Sequence, residues 1–112
     1  MNQPVAVPEV LSTDLPAGAF LLDVREDDEW SAGHAPDAVH LPMMELPGRL
    51  ADIPAEGDVV IVCRSGHRSA EVVGYLLGRG YRHVRNLSDG MLGWAAAGRP
   101  LVSEDGDAPT VL

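Results

Sequence analysis

With 112 residues the chain has room for one hydrophobic core, and a 46% hydrophobic content with one Phe, two Tyr and two Trp leaves Val, Leu and Ala to fill it, as in a layered α/β domain. The formal net charge of −9 is unevenly spread: residues 1–56 hold eleven acids against two Arg and residues 57–112 six of each, with no Lys anywhere, which argues against a nucleic-acid-binding surface. A single cysteine rules out an intrachain disulfide, no apolar run approaches the ~20 residues of a membrane span, and MNQPVAVPEV lacks the basic and apolar regions of a secretory signal, so a reducing, cytoplasmic setting without membrane contact is expected.

Short apolar runs alternate with helical patterns along the chain. Val5–Val7 reads as a first short strand and Pro8–Leu15 as a short helix. Ala19–Val24 (AFLLDV) is a good buried strand. Asp27, Asp28 and Glu29 suit the first turn of a helix that Gly33 stops. Ala38–Leu41 forms a third short strand ending at Pro42, a helix is expected near Glu45–Asp52, and a turn at Pro54–Gly57. The most apolar strand follows: Asp58–Val62 is nearly all β-branched, the pattern of a strand covered on both faces of a parallel sheet. Ser69–Arg79 then places Ala70, Val73, Leu76 and Leu77 on one helical face, with Gly78 and Gly80 at its end. Val84–Leu87 is a last strand. Ser88–Ala97 is a final helix opened by Ser88 or Asp89, anchored by Met91, Leu92 and Trp94, and closed by Gly98. Trp30 and Trp94 are read as packing residues. From Val102 onward SEDGDAPTVL is expected to be an acidic, flexible tail, leaving residues 1–101 as the folded unit.

The only cysteine, Cys63, falls where the most apolar strand gives way to a Gly-containing turn and an amphipathic helix. A free cysteine at the end of a buried strand is usually an inert core residue. The surroundings point elsewhere: Cys63, Arg64, Ser65, Gly66, His67, Arg68 and Ser69 stand in one run, and the six that follow the cysteine are poor core fillers. A helix N-terminus offers unpaired N–H groups and about half a positive charge, and a cysteine held there has its pKa lowered from about 8.5 into a range of about 3.5–7.5. Arg64 and Arg68 act in the same direction. Gly66 accepts positive φ and lets the turn curl so that successive N–H groups aim at one point above the sulfur. Ligands of open α/β sheets bind beyond the carboxyl ends of the strands, which is where this loop falls.

Four segments, LLDVREDDEW, GHAPDAVHLP, VVIVCRSGHRSAEVVGYLLGRGY and VRNLSDGMLGWAAAGRP, span roughly residues 20–100, and in type, order and spacing they resemble the rhodanese-like sulfurtransferase family. The resemblance implies a three-layer α/β/α fold with a five-stranded parallel sheet over residues 1–101. It also implies that Cys63 accepts a sulfane sulfur from a small anionic donor such as thiosulfate, becomes a persulfide, and passes the sulfur to cyanide, a thiol or a partner protein. Arg64, Ser65, Gly66, His67, Arg68 and Ser69 would then ring the persulfide, the two arginines attracting the donor and His67 donating a hydrogen bond or simply lining the loop. Asp23 and Arg25 match the family's D-V-R element as structural supports, Asp23 fixing loop backbone and Arg25 pairing with Glu29 or its neighbours. His34, in the G-H element, ties the loop after its helix. The family often has Gly where Asp37 stands and two glycines where Asp89–Gly90 stand. These departures are expected to lie away from the cysteine loop and bear on substrate preference and turn geometry.

Two rival readings follow from the same residues. A cysteine phosphatase or arsenate reductase also uses a Cys–Arg anion loop, but its signature sets five residues between Cys and Arg, whereas Cys63 and Arg68 enclose four. A binding or regulatory module without turnover would keep the fold. His34, His40, His67 and His83 show no paired spacing with Cys63 that suits zinc, so neither metal nor cofactor is expected.

Overall fold

The structure, a computed structural model, describes residues 6–112. Five parallel strands, β1 (Glu9–Val10), β2 (Phe20–Asp23), β3 (Val39–His40), β4 (Val59–Val62) and β5 (Val84–Leu87), form one sheet in the order β1-β5-β4-β2-β3. The helices are α1 (Asp27–Ala32), α2 (His67–Leu77) and α3 (Gly90–Ala96). β4 is central and pairs β2 from Phe20↔Val59 to Asp23↔Val62. The chain leaves β2 toward the β3 edge and β4 toward the β5 edge, so a topological switch point opens between the carboxyl ends of β2 and β4. Both α1 and α2 begin there.

Alternation along β4 builds two cores. Val59, Ile61 and Cys63 face Val72, Val73 and Leu76 of α2, while Val60 and Val62 face Met91 and Trp94 of α3. This is the expected α/β/α layering. Each such side chain contributes about 1.5–3 kcal/mol on burial. The inward stripe of α2 is Ser69, Val72, Val73 and Leu76, rotated from the expected 70–73–76–77 face because the buried Ser69 starts the i, i+3, i+4, i+7 series. Leu77 lies at the edge of exposure, and Leu92 of α3 is exposed rather than an anchor.

Three local expectations differ from the structure. Residues 8–15 form no helix: β1 pairs β5 in parallel, Asn86 N–H donating to Pro8 O at 2.8 Å and Ser88 N–H to Val10 O at 3.1 Å, and a short 3₁₀ turn, Ser12–Asp14, follows. The open edge of β5 needs backbone partners, and this segment supplies them. The anticipated strand at Val5–Val7 falls partly outside the described residues, and its described part is not a strand. In place of a helix at 45–52 stand two 3₁₀ turns, Met43–Gly48 and Leu50–Asp52, since Pro47 has no N–H to donate and Gly48 weakens the helix further.

The C-terminal segment is seated, not loose. His34 and Val102 exchange backbone hydrogen bonds at 2.9 Å, Glu104 N–H donates to Ser31 O, and Thr110 N–H donates to Ala32 O, both at 2.9 Å. Val111 packs against the α3-side core. The carbonyls that end α1 have no intrahelical partner, and residues 102–110 satisfy them. Gly33 lies flat against the Thr110 backbone with no room for a Cβ.

Asp23 and Arg25, both fully buried, hold the start of the switch point. Arg25 Nε and Nη2 donate to the two carboxylate oxygens of Asp23 at 2.9 Å each, Nη2 also reaches Gly33 O at 2.7 Å, and the Arg25 N–H meets Asp23 Oδ1 at 3.1 Å. Arg25 therefore pairs with Asp23, two residues back, and not with Glu29, which has another partner. Removing one member of a buried pair strands the other charge at a cost of about 3–5 kcal/mol. Arg25→Met, which keeps much of the apolar volume, is expected to lower unfolding stability by about that amount in equilibrium urea denaturation. A loss below about 1 kcal/mol would place the pair among surface-type ion pairs instead.

Candidate active site

The loop from Cys63 to Ser69 is shaped by where its carbonyls go. Met91 N–H donates to Cys63 O at 2.9 Å and Leu92 N–H to Arg64 O at 3.1 Å, using donors that the N-terminus of α3 leaves free. Asn86 Nδ2 donates to Gly66 O at 3.1 Å. With these carbonyls turned outward, N–H groups point inward: Gly66 N–H lies 3.1 Å and Ser69 N–H 3.4 Å from Cys63 Sγ. Gly66 has φ +95°, and a Cβ there would stand 2.5 Å from Ser88 O. Gly90, at φ +60°, presses in the same way on the Arg64 carbonyl. The Asp89–Gly90 departure from the family pattern thus lies beside the loop, contrary to expectation, and the Asp89 carboxylate takes both the N–H and the hydroxyl of buried Ser12 at 3.0 and 2.6 Å.

Cys63 is buried, while Arg64, Ser65 and His67 are exposed above it. Burial pushes the Cys63 thiol up, but hydrogen bonds from the Ser69 hydroxyl and from the Ser69, Ser65 and Gly66 N–H groups outweigh it, and the net direction is below the ordinary thiol value.

Ser69 Oγ stands 3.1 Å from Cys63 Sγ and 2.5 Å from Asn86 Oδ1. Asn86 is oriented by its Nδ2 bond to Gly66 O, so Oδ1 faces Ser69 and accepts its proton. A neutral thiol then donates S–H to the Ser69 lone pair. Once the sulfur is ionised, the one hydroxyl proton turns from Asn86 to the thiolate. Asn86 was not anticipated as a site residue; its signal was a lone carboxamide at a fully buried position of β5.

The arginines are arranged otherwise than expected. Arg64 is exposed and its Nε donates to Leu112 O at 2.6 Å. Arg68 Nη1 and Nη2 donate to Glu29 Oε1 and Oε2 at 2.7 and 2.8 Å. The Arg68 hydrogen bonds hold the Glu29 carboxyl down at about 2 against the opposing effect of burial, with the Glu26 N–H adding to them. In the sequence Glu29 reads as a helix-start acid and a partner for Arg25; nothing in its spacing shows that it reaches Arg68 instead, 39 residues away. Asp23, Arg25 and His34 lie in the supporting layer. His34 Nδ1–H donates to Trp30 O at 2.8 Å, its ring stacks on Trp30 at 3.5 Å, and Nε2 lies 3.2 Å from Glu104. Trp30 is sandwiched between His34 and His40, and Trp94 is buried with its indole N–H on Pro100 O, so both tryptophans pack. No helix among the described residues is long and apolar enough to cross a membrane.

The site is thus a cysteine-centred N–H cradle at the switch point of a three-layer parallel α/β domain. The chain belongs to the rhodanese-like domain family, whose pattern it matches over residues 7–97. It is 45% identical over 87 residues to a sulfurtransferase of Allochromatium vinosum, covering 78% of this chain and 81% of that protein. It is 33% identical to the thiosulfate sulfurtransferase GlpE of Pseudomonas savastanoi pv. phaseolicola, covering 70% of this chain and 74% of that one. Its fold superposes on a rhodanese-related protein from Thermoplasma volcanium with a TM-score of 0.79 at 26% identity, covering 85% and 97% of the two chains.

Because the loop lowers the thiol pKa, the thiolate fraction rises with pH and levels off earlier than for a free cysteine, whose pKa is about 8.5. The rate of Cys63 alkylation by iodoacetamide is expected to reach half its plateau at a lower pH than that of a free-cysteine peptide measured beside it, and Ser69→Ala to move the midpoint upward. An unmoved midpoint in Ser69→Ala would remove the hydroxyl from control of the sulfur.

Proposed function

We propose that the protein is a sulfurtransferase that carries sulfane sulfur as a persulfide on Cys63. The observation that carries this reading is the convergence of the Gly66 and Ser69 N–H groups on one buried sulfur, and the names borne by its relatives support it. With thiosulfate as donor, the Cys63 thiolate attacks the sulfane sulfur. A new S–S bond forms, the S–S bond of thiosulfate breaks, and sulfite leaves with its electron pair. The product is a persulfide anion, Cys–S–S⁻, one atom longer than the thiolate it replaces. An acceptor such as cyanide then attacks the outer sulfur, thiocyanate leaves, and the Cys63 thiolate returns with no net oxidation or reduction.

The cradle contributes twice. Its N–H groups stabilise the attacking thiolate and then the charge on the sulfur that it becomes bonded to, without needing to move, which is where preorganised donors contribute most. Gly66 and Ser69 supply donors in place, with Ser65 and His67 at the exposed rim. A thiol or partner protein as physiological acceptor and a reducing cytoplasmic setting fit a single unpaired cysteine.

The phosphatase or arsenate reading is disfavoured by the loop itself. Four residues rather than five separate Cys63 from Arg68, and both Nη atoms of that arginine are engaged by Glu29. A module without turnover would have no need to hold its thiol below the ordinary range.

Incubation with thiosulfate is expected to add one sulfur atom to the intact mass, and cyanide to remove it with release of thiocyanate. Cys63→Ser is expected to show neither step while keeping the wild-type unfolding transition. Equal thiocyanate production by Cys63→Ser would defeat the persulfide reading.

A further inference from the structure

The ion pair between Glu29 and Arg68 spans the switch-point crevice. Glu29 belongs to the first turn of α1, which follows β2, and Arg68 to the first turn of α2, which follows β4; the two helices enter from either side of the same opening. Glu29 is fixed from its own side as well. Its Oε1 accepts the Glu26 N–H at 3.0 Å in a reciprocal cap, so the carboxylate is held in place before Arg68 reaches it. Arg68 directly precedes Ser69, whose N–H lies on the sulfur, and the charge of Cys63 acts on its guanidinium. The loop arginine coupled to the reacting sulfur is thus delivered with its counter-charge already bound.

The rest of the surroundings add little positive charge to compensate. Arg64 points to Leu112 at the exposed edge, and Glu26 also acts on Arg68. α1 adds Asp27 and Asp28, and the chain as a whole carries −9. A dianion entering such a mouth would have to compete with a carboxylate that makes two short hydrogen bonds to the same guanidinium, whereas a neutral or singly charged sulfane compound would not.

We propose that Glu29 is a specificity-determining residue: by occupying both Nη atoms of Arg68 across the crevice, it suits the Cys63 loop to sulfane donors of low charge, organic persulfides above all, in preference to inorganic dianions. This rests on the sulfurtransferase reading and narrows its donor class; thiosulfate serves such a site as a weak donor. Glu29 acts through Arg68 and touches no reacting atom. Transfer from an organic persulfide balances as before: the Cys63 thiolate takes the outer sulfur, and the donor leaves as its thiolate.

Glu29→Gln tests this directly, because the amide oxygen keeps the cap on Glu26 while the charge on Arg68 is released. Asp28→Asn removes the same charge one residue away, from an exposed side chain that has no bond to Arg68. The first readout is the ratio of Cys63 alkylation by iodoacetate, an anion, to alkylation by iodoacetamide, its neutral counterpart, which needs no turnover. An uncovered guanidinium beside a partly exposed site is expected to raise that ratio by about three- to tenfold in Glu29→Gln and by less than twofold in Asp28→Asn. The KM for thiosulfate should fall by a similar factor in Glu29→Gln with kcat within about twofold, and the KM for a neutral aryl thiosulfonate should stay put. An unchanged ratio, an equal rise in Asp28→Asn, or a higher KM for thiosulfate would overturn the proposal, the last by showing that Arg68 needs Glu29 in order to bind the donor. Circular dichroism checks the fold of each variant. Should Glu29→Gln not fold, the wild-type protein decides: its iodoacetate rate is expected to be nearly independent of salt, and a steep fall with salt would reveal an uncovered cationic mouth. If no donor turns over in any variant, the sulfurtransferase reading fails, while the alkylation ratio still decides how Glu29 sets the charge.

Discussion

The direction of a few peptide groups governs the molecule. Sulfur is a weak acceptor and burial opposes its ionisation, so a buried reactive thiolate needs N–H groups aimed at it. A tight loop presents N–H groups inward only if its carbonyls find partners outside. Here the start of α3 takes the carbonyls of Cys63 and Arg64, and Asn86 of β5 takes that of Gly66. The helix on the far face of the sheet and the strand next to β4 are therefore part of the thiol's environment, although neither supplies a donor to sulfur. The glycines at 66 and 90 are required for the same reason, since each lies at positive φ against a neighbouring backbone that would meet any Cβ.

Around this centre the buried charged and polar side chains stand in pairs or clusters, although Arg25 Nη1 is buried without a hydrogen-bond partner. Asp23 and Arg25 neutralise each other and fix the end of α1 through Gly33 O. Ser12 and Asp89 tie the segment after β1 to the residue preceding α3, and Arg99 closes the group by donating to Ser12 O at 2.7 Å. Glu29 and Arg68 join the two helices that flank the crevice. The last two clusters join segments far apart in the chain, so the loop sits in a frame fixed on several sides.

Much of this was legible in the sequence where the signal was local. Short apolar runs marked β2, β4 and β5, with β4 nearly all β-branched, acids placed the start of α1, and the run from Cys63 to Ser69 announced its turn and helix. What could not be read was what depends on distant partners. The strand at Glu9–Val10 exists because β5 offers an open edge, and the segment's own pattern is too short to say so. Ser69 disguised the buried stripe of α2, since a hydroxyl that serves the sulfur interrupts the apolar period. Arginines near a cysteine read as free cations, because a sequence shows their charge but not the carboxylate that meets it. The tail's acids suggested a solvated end, yet its ordering rests on backbone donors, which every sequence carries and none displays.

The single proton of Ser69 has a mechanical corollary. Asn86 joins the thiol's hydrogen-bond chain through its side chain and holds the edge strand through its main chain, whose N–H reaches Pro8 O. Ionising the sulfur draws that proton away from Asn86, so the carboxamide is held less firmly when the thiolate is present. Thermodynamic linkage makes the relation run both ways. A two-residue strand at the rim of the sheet and a sulfur atom in its middle are thus joined through one residue, Asn86, without any contact between the two.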